Sequence, residues 1–315
     1  MNYGFGVDLG GTTVKIAYFD ENGTMLDKWE IPTVTENKGE RILPDIADAV
    51  NGYIEEKKLQ RETLLGIGIG VPGPVIGNGI VKVCDNLGWG TVDVRGILSG
   101  LTGLPVSVGN DANVAALGES WKGGGRGCRN LVLVTLGTGV GGGIVVDGKQ
   151  VCGVFGAGGE IGHMVIAPEE KEYCNCGKRG CVEQYCSATG IVRVAKRHLA
   201  AGDVDSSLRK LDKLTAKDVF DAANAGDALA QAALDQVYDY MGQFLANIGC
   251  VVDPEVFVFG GGVSKAGQPL LEGARRAFDK YVYHASVDVR FALASLGNDA
   301  GAYGAFRLVK DEFGS

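Results

Sequence analysis

Two glycine-centred hairpins constrain the fold of this chain more than any other feature of its sequence. The first is FGVDLGGTTVKIAYFDENG, Phe5 to Gly23, and the second is LVLVTLGTGVGGGIVVDG, Leu131 to Gly148. Each contains an apolar run, a Leu-Gly turn followed by Thr and Gly, and a second apolar run. Each ends in Asn-Gly or Asp-Gly, dipeptides typical of tight hairpin turns. Two such copies, widely separated along the chain, predict two related domains.

The glycine turns themselves indicate a binding function. Backbone N–H groups at such a turn can point together at an anion, and the missing Cβ atoms let a phosphate approach closely. Thr12, Thr13 and Thr138 add hydroxyl donors. Two ordinary hairpins are the alternative, but the repetition favours a pair of phosphate-binding turns. Neither turn matches the Walker or the Rossmann pattern, so the predicted nucleotide site is of another type.

A third glycine element is EVFVFGGGVS, Glu255 to Ser264, which reads as a buried strand that ends in three glycines before a helical pattern. Such a junction could pack a base or ribose against bare backbone. Glycine is abundant, with 51 of 315 residues, and it clusters after apolar runs. This clustering suggests backbone that lies close to a ligand.

Charge and hydropathy exclude several other classes of protein. The formal net charge of −8 argues against a nucleic-acid surface, which requires a basic stripe. The N-terminus lacks the pattern of a signal peptide, and no apolar run approaches the length of a membrane span. We therefore expect a cytoplasmic protein with no membrane partner, whose cysteines are reduced.

One histidine and three cysteines predict a metal site. His163 precedes a Cys-x-Cys-x₄-Cys run formed by Cys174, Cys176 and Cys181. Three thiolates and an imidazole complete a tetrahedral Zn²⁺ shell with no place for water, so we expect a structural zinc ion. Clustered reduced cysteines without a metal are the alternative. The other five cysteines are predicted to be small apolar core residues: Cys84, Cys128, Cys152, Cys186 and Cys250.

Two carboxylates flank this cluster, Glu160 upstream and Glu183 downstream. Zinc occupies one ring nitrogen of His163, and the other nitrogen could meet a bound hydroxyl instead of a protein acceptor. Two carboxylates and an imidazole that converge on one pocket suit a polyhydroxy ligand, because each buried hydroxyl needs a partner. The alternative is that both carboxylates are solvated loop residues.

Asp111 is the best candidate for a catalytic base. It lies in GNDANVAALGE, where a predicted strand ends and a helix begins. An N-cap role is the alternative for an aspartate at this place. However, ligands of α/β folds bind at strand ends, and a kinase that acts on an alcohol needs a carboxylate to accept the hydroxyl proton. Asp8, on the first turn, is better suited to Mg²⁺.

The remaining sequence alternates strands and helices with long crossovers, which predicts an α/β fold. Thr215 and Asp218 form a candidate capping box. A long amphipathic helix is predicted downstream, and its apolar stripe is expected to lie in the core: Leu234, Val237, Met241, Phe244, Leu245 and Ile248. The predicted domains are residues 1–111 with 300–315, and residues 112–299, which carry the zinc cluster.

Six segments occur in the order found in the ROK family of sugar kinases and repressors: VDLGGTTVK, GNDANVAALGE, LGTGVGGGIVVDG, GAGGEIGH, CNCGKRGCVE and VFGGGV. The chain resembles this family over essentially its whole length, and especially its bacterial ATP-dependent glucokinases. The resemblance implies a two-domain actin-like ATPase fold (ribonuclease H-like) with a cleft between the domains. It also implies transfer of phosphate from MgATP to the 6-hydroxyl of glucose by a homodimer or higher homo-oligomer.

The resemblance also implies roles for individual residues. Asp111 corresponds to the general base, and the implied zinc ligands are those predicted above. The implied sugar ligands are Asn86, Asn110, Asp111, Glu160, His163 and Glu183. The implied nucleotide residues are Gly10, Gly11, Thr12, Lys15, Thr138, Gly139, Gly261 and Gly262, of which Lys15 could also point to solvent. Asp8 and Thr13, argued above from the first turn itself, complete the predicted set. Two alternatives to a glucokinase stay open. One is a kinase for another hexose (fructose, mannose or N-acetylmannosamine), and the other is a non-catalytic sugar sensor.

Overall fold

The computed structural model describes residues 2–77 and 79–314. The chain forms two compact units: unit 1 comprises residues 1–129, 143–159 and 295–315, and unit 2 comprises residues 130–142 and 160–294. These units divide the chain differently from the predicted domains, because the segment after residue 111 belongs to unit 1. The physical reason is that helix Asp111–Lys122 packs closely against the C-terminal helix Ala300–Phe313.

The strands are β1 Tyr3–Leu9, β2 Thr13–Asp20, β3 Met25–Pro32, β4 Leu64–Val71, β5 Val75–Ile76, β6 Ile80–Val81, β7 Val92–Asp93, β8 Val106–Asn110, β9 Leu131–Leu136, β10 Val140–Val146, β11 Lys149–Gln150, β12 Val256–Gly260 and β13 Arg290–Leu293. The helices are α1 Glu36–Gly39, α2 Ile42–Glu56, α3 Val94–Thr102, α4 Asp111–Lys122, α5 Glu183–Cys186, α6 Ala188–Ala200, α7 Ala216–Asn224, α8 Ala228–Val252, α9 Gln268–Phe278 and α10 Ala300–Phe313. Both predicted hairpins are therefore confirmed, as β1–β2 and β9–β10.

The main sheet of unit 1 has the strand order β3-β2-β1-β4-β8. Strands β1, β4 and β8 are parallel, and β2 returns antiparallel to β1. Because side chains alternate between the faces of a strand, the two faces carry separate cores. Phe5 and Val7 belong to the core that includes α2 and α3, whereas Phe19 packs with Phe306 of α10. The sheet is thus covered by helices on both faces.

Glycines in these strands allow α10 to approach the sheet. A Cβ at Gly6 would lie 2.1 Å from the carbonyl oxygen of Ala302, and a Cβ at Gly68 would lie 1.7 Å from that of Ala305. Both distances are far inside van der Waals contact, so only glycine fits at these positions. The interpretation of glycine clusters as ligand-approach sites is therefore wrong for these two residues, which serve helix–sheet packing.

Unit 2 contains the parallel strands β9, β12 and β13, with β12 in the middle. Helix α8 packs against α6, α7 and α9. All six residues of its predicted apolar stripe are at most 4% exposed, so the stripe is core as predicted. The capping box of Thr215 and Asp218 is also confirmed, at the start of α7.

The isolated cysteines follow the prediction only in part. Cys84, Cys128 and Cys186 are buried, and Cys152 is half-buried. Cys250 is exposed, so its assignment to the core is wrong; it lies on the outward side of α8, away from the helices that cover the apolar stripe. Among the described residues, no helix combines the length and the apolar character that crossing a bilayer requires.

Asp227 fixes the start of α8. One of its carboxylate oxygens accepts from the backbone N–H groups of Leu229 and Ala230, and the other accepts from Ser206 and Ser207. Burial alone would raise the pKa of Asp227, but these hydrogen bonds outweigh it and lower the pKa to about 2. The ionised carboxylate therefore stabilises the folded state.

We expect Asp227→Ala to lower the free energy of unfolding by about 1–2 kcal/mol near neutral pH, because α8 loses its N-cap. Since the folded-state pKa is depressed, the stabilising effect is present above the ordinary pKa of 3.8 and is lost as the pH falls through about 2. Urea denaturation at a series of pH values measures the difference between variant and wild type. The exposed Asp212→Ala is the control, and a difference that does not shrink with acid would contradict this account.

Candidate active site

The first glycine turn joins β1 to β2 and is held by the segment that follows β3. The backbone N–H of Gly10 donates to the carbonyl oxygen of Thr13 at 3.1 Å. Thr33 donates its hydroxyl to the carbonyl of Gly10 at 2.8 Å and its N–H to the carbonyl of Thr12 at 3.0 Å. Gly11 and Thr12 remain exposed. Two hydrogen bonds from Thr33 thus hold the turn, while its tip stays exposed.

Asp8 lies beside this turn and against the start of α10. Its carboxylate is 3.5 Å from the ammonium group of Lys15, which also donates to the carbonyl of Asn298. A Cβ at Gly301 would lie 2.6 Å from the carboxylate carbon of Asp8, so the glycine provides the space that the carboxylate occupies. Burial raises the pKa of Asp8, and the charge of Lys15 partly opposes this rise. Lys15 therefore faces Asp8 instead of projecting freely into solvent.

Asn110, and not Asp111, is the N-cap of α4. The side-chain oxygen of Asn110 accepts from the backbone N–H groups of Ala112 and Asn113, and its amide donates to the carbonyl of Gly73 at 3.1 Å. Asp111 is the first residue of the helix, and its side chain is half-buried. The N-cap position of α4 is therefore that of Asn110, although the carboxylate of Asp111 also accepts from the N–H of Ala112 at 2.8 Å.

The parallel register brings Asp8 and Asp111 to the same edge of the sheet. Asp8 of β1 is paired with Gly70 of β4, and Gly70 is paired with Gly109 of β8. Adjacent strands lie about 4.8 Å apart, so the ends of β1 and β8 are separated by roughly 10 Å. Unit 1 thus presents the first glycine turn and both aspartates at one carboxyl edge, where α/β folds bind ligands.

Asn86 is exposed and lies on the 3-10 turn Asp85–Leu87 in unit 1. Burial raises the pKa of the neighbouring Cys84 thiol, hydrogen bonds from the backbone of Leu87 and Asn86 oppose this rise, and the negative charge of Asp111 adds to it. The role of Asn86 as a sugar ligand, which the family resemblance implies, stays a prediction.

In unit 2, the second glycine turn lies beside the third glycine element. Gly260 of β12 is paired with Thr135 of β9, which places Gly261 next to the turn at Gly137. Gly261 has a φ of +82°, and a Cβ there would lie 2.6 Å from the carbonyl oxygen of Leu136. Thr138, at the tip of the turn, and Gly262 are exposed. The glycines predicted to bind nucleotide in this unit are therefore brought together.

The predicted metal ligands also come together in unit 2. One potential ligand atom from each of His163, Cys174, Cys176 and Cys181 lies within 4.8 Å of all the others. The Cys174 sulfur is 3.7 Å from Nδ1 of His163, and the sulfurs of Cys176 and Cys181 are 3.6 Å apart. Ligands about 2.3 Å from a tetrahedral Zn²⁺ lie about 3.8 Å from one another, so the spacing of this cluster fits such an ion.

Glu160 and Glu183 differ in their surroundings. Glu160 is exposed and precedes the 3-10 turn Ile161–His163 that carries the histidine. Glu183 begins α5 and is half-buried; one oxygen accepts from the backbone N–H of Val140 at 3.1 Å, and the other is 3.6 Å from the sulfur of Cys174. The alternative of a solvated loop carboxylate is therefore wrong for Glu183, because its oxygens meet the second glycine turn and the cysteine cluster.

Sequence reasoning missed the residues that support the cysteine loop. The side-chain oxygen of buried Gln184 accepts from the N–H groups of Gly180 and Cys181, and its amide donates to the carbonyl of Glu172. Buried Glu170 accepts from Tyr185 and, through two bonds, from Arg197. These hydrogen bonds, led by those from Arg197, hold the pKa of Glu170 well below its usual range. The only sequence signal for these contacts was Gln184, the glutamine directly after Glu183. A single polar residue outside any periodic pattern does not predict which groups it will bond to.

Solved structures and sequence relatives resemble this chain over almost its whole length. A glucokinase of Halalkalibacterium halodurans is 45% identical over 98% of this chain and 94% of the relative. The structure of a ROK family glucokinase from Streptomyces griseus in complex with glucose and AMPPNP is 32% identical, with a TM-score of 0.74 over 98% of this chain and 100% of that one. The ROK hexokinase of Thermus thermophilus is 32% identical, with a TM-score of 0.78 over 98% and 99%.

The fold and these likenesses define the class as a two-domain α/β sugar kinase with the actin-like architecture, which confirms the predicted fold class. Residues 4–312 match the ROK family, and the chain belongs to that family.

Proposed function

We propose that this chain is an ATP-dependent glucokinase, which transfers the γ-phosphoryl group of ATP to the 6-hydroxyl of glucose. The observation that carries the proposal is the likeness over nearly the full chain to a ROK glucokinase whose structure holds glucose and AMPPNP. The same family resemblance supports a cytoplasmic homodimer or higher homo-oligomer as the working form. A coupled assay with a panel of hexoses tests the reaction.

In that assay, glucose with ATP is expected to give the highest kcat/KM. Fructose, mannose and N-acetylmannosamine test the choice of sugar, and ADP and polyphosphate test the choice of donor. If another hexose exceeds glucose, the glucokinase assignment is wrong although the kinase class stands. If no hexose is phosphorylated, the chain is not a kinase and a sugar sensor becomes the better description.

Asp111 is proposed as the general base. Its carboxylate accepts the proton of the sugar hydroxyl as that oxygen forms a bond to the γ-phosphorus. The bond between the γ-phosphorus and the bridging oxygen then breaks, and ADP leaves with the electron pair. Its half-buried position at the carboxyl edge of β8 supports this role, since the N-cap function belongs to Asn110.

The sugar ligands are proposed by position. In unit 1 they are Asn86, Asn110 and Asp111, and in unit 2 they are Glu160, His163 and Glu183. Carboxylates and amide oxygens accept from sugar hydroxyls, while the amide nitrogens and an imidazole N–H donate to them. In the described structure Nδ1 of His163 faces the sulfur of Cys174. Its other ring nitrogen, Nε2, is the one assigned to the sugar.

The phosphates and the nucleotide are assigned to the glycine elements. In unit 1 these are Gly10, Gly11, Thr12, Thr13 and Lys15, and in unit 2 they are Thr138, Gly139, Gly261 and Gly262. Bound Mg²⁺ would neutralise charge on the phosphates. Asp8 is proposed to hold it, directly or through water. The pairing of Lys15 with Asp8 supports a role for this lysine in orienting that carboxylate.

The cluster of His163, Cys174, Cys176 and Cys181 is proposed to bind a structural Zn²⁺. The close spacing of three thiol sulfurs and one imidazole nitrogen supports this assignment, and four protein ligands would leave no coordination position for a substrate. The zinc ion would hold the loop that carries three cysteines, and it would fix the ring of His163.

Gly301→Ala tests the position of Asp8. A methyl group at residue 301 would occupy the space of the Asp8 carboxylate, whose carbon would lie 2.6 Å away. We expect the Mg²⁺ concentration for half-maximal activity to rise by about tenfold, the lower end of the effect of losing an outer-shell contact, while the KM for glucose is unchanged. Gly100→Ala is the matched control, because a Cβ at this exposed helical glycine meets nothing within 4 Å. An unaltered Mg²⁺ dependence of Gly301→Ala would remove Asp8 from the metal site.

A further inference from the structure

The second glycine turn is held by a segment that begins two residues after the last cysteine of the metal cluster. The backbone N–H of Ala188 donates to the carbonyl of Gly137 at 2.8 Å. The hydroxyl of Thr189 donates to the carbonyl of Thr138 at 2.9 Å, and the N–H of Val140 donates to Glu183 at 3.1 Å. Three successive parts of the turn are therefore tied to residues 183–189, which we call the brace.

The brace also contacts the metal cluster. One oxygen of Glu183 receives the hydrogen bond of Val140, and the other lies 3.6 Å from the sulfur of Cys174. Cys181, a second member of the cluster, is joined to Glu183 through a single residue. The metal cluster and the second glycine turn therefore meet at the same carboxylate, that of Glu183.

The absence of a side chain at Gly139 makes this arrangement possible. A Cβ at residue 139 would lie 2.1 Å from the Glu183 oxygen that meets Val140. The glycine at the centre of the turn therefore has a second role besides access for a ligand: it provides the space for the carboxylate. Ser187 stabilises the brace itself, because its hydroxyl donates to the carbonyl of Glu183 and accepts from the N–H of Gly190.

We propose that the brace sets the geometry of the second glycine turn, and that the affinity for nucleotide therefore depends on a metal ion in the cysteine cluster. Thr189 and Glu183 are then positioning residues for the phosphate donor. This inference rests on the proposed function, because it takes the turn as a nucleotide-binding element. A structural metal ion that holds only its own loop would not change the affinity for nucleotide.

Thr189→Val tests the brace without replacing a residue of the cluster or a proposed substrate ligand. Thr189 is exposed, so the isosteric valine leaves the core unchanged. We expect the Kd for MgAMPPNP, measured by titration calorimetry, to rise about three- to tenfold, the equivalent of one lost hydrogen bond to the turn. Within the brace, the Thr189 hydroxyl also lies 3.0 Å from the hydroxyl of Ser187. Thr189→Ser keeps the hydroxyl and should restore the affinity. Thr63→Val is the matched control, because Thr63 makes the same type of bond, hydroxyl to backbone carbonyl, at 2.7 Å in unit 1.

Two further measurements separate this effect from general damage. Zinc content and the Kd for glucose should be unchanged in Thr189→Val, and the KM for ATP should rise without a matching fall in kcat. Removal of the metal from the wild type with a chelator should weaken AMPPNP binding. The same treatment of Thr189→Val should produce a smaller loss, because one of the three hydrogen bonds between the brace and the turn is already missing.

If Thr189→Val binds AMPPNP as the wild type does, the brace is not a positioning element and the proposal fails, although glucokinase activity would stand. If metal-free wild-type protein keeps its nucleotide affinity, the dependence on the cluster is overturned. A wild type that neither binds AMPPNP nor phosphorylates a hexose would overturn both this inference and the proposed function.

Discussion

Asp111→Asn is expected to lower kcat by about 10²–10⁴-fold, the usual scale for the loss of an acid–base group. The asparagine has the size of the aspartate but cannot take a proton from the attacking hydroxyl. Binding of glucose should be almost unchanged, because the amide still forms hydrogen bonds with sugar hydroxyls. Steady-state kinetics with a coupled assay measures kcat, and titration calorimetry measures the Kd for glucose.

The structure makes this test specific. Because Asn110 is the N-cap of α4, exchange of the next residue leaves the two capping hydrogen bonds in place, and the variant is expected to fold normally. Asp48→Asn, on the exposed face of α2, is the control for the loss of one surface carboxylate. If Asp111→Asn turned over glucose at nearly the wild-type rate, Asp111 would not be the base, and another carboxylate would have to be sought.

The features that sequence predicted correctly are those determined by nearby residues. The Leu-Gly turns, Asn22-Gly23 and the capping box of Thr215 depend on backbone conformation within a few positions, which residue type controls directly. The cysteine cluster was predictable for a related reason. The spacing of Cys174, Cys176 and Cys181 brings their thiols together in a short loop, and only His163 has to be supplied from elsewhere.

The features that sequence could not predict depend on distant contacts. Asn110 and Asp111 are equally good N-cap residues by type, and only the backbone at the end of β8 decides between them. Nothing local indicates that Gly6 faces the carbonyl of Ala302, or that Glu183 bonds to Val140. These contacts join residues far apart in sequence, so they follow from the packing of whole elements.

Cys176→Ser is expected to abolish zinc binding and to lower the affinity for glucose by about tenfold or more. The serine hydroxyl does not ionise and is a poor ligand for zinc, so three donors remain where a structural ion needs four. Without the proposed ion, Nδ1 of His163 would lose its anchor, and the imidazole would no longer present a fixed nitrogen to the sugar. Cys176 is exposed, so the substitution itself creates no cavity.

Elemental analysis of the purified protein measures the metal, and titration calorimetry measures the Kd for glucose. Cys250→Ser is the matched control, because Cys250 is also exposed but lies on α8, outside the cluster. The Cys250→Ser variant should keep about one zinc ion per chain and bind glucose with the affinity of the wild type. Wild-type protein without zinc would refute the metal assignment. A Cys176→Ser variant that lost zinc but bound glucose normally would show that His163 is held by the fold alone, because an imidazole already fixed by packing gains nothing from the ion.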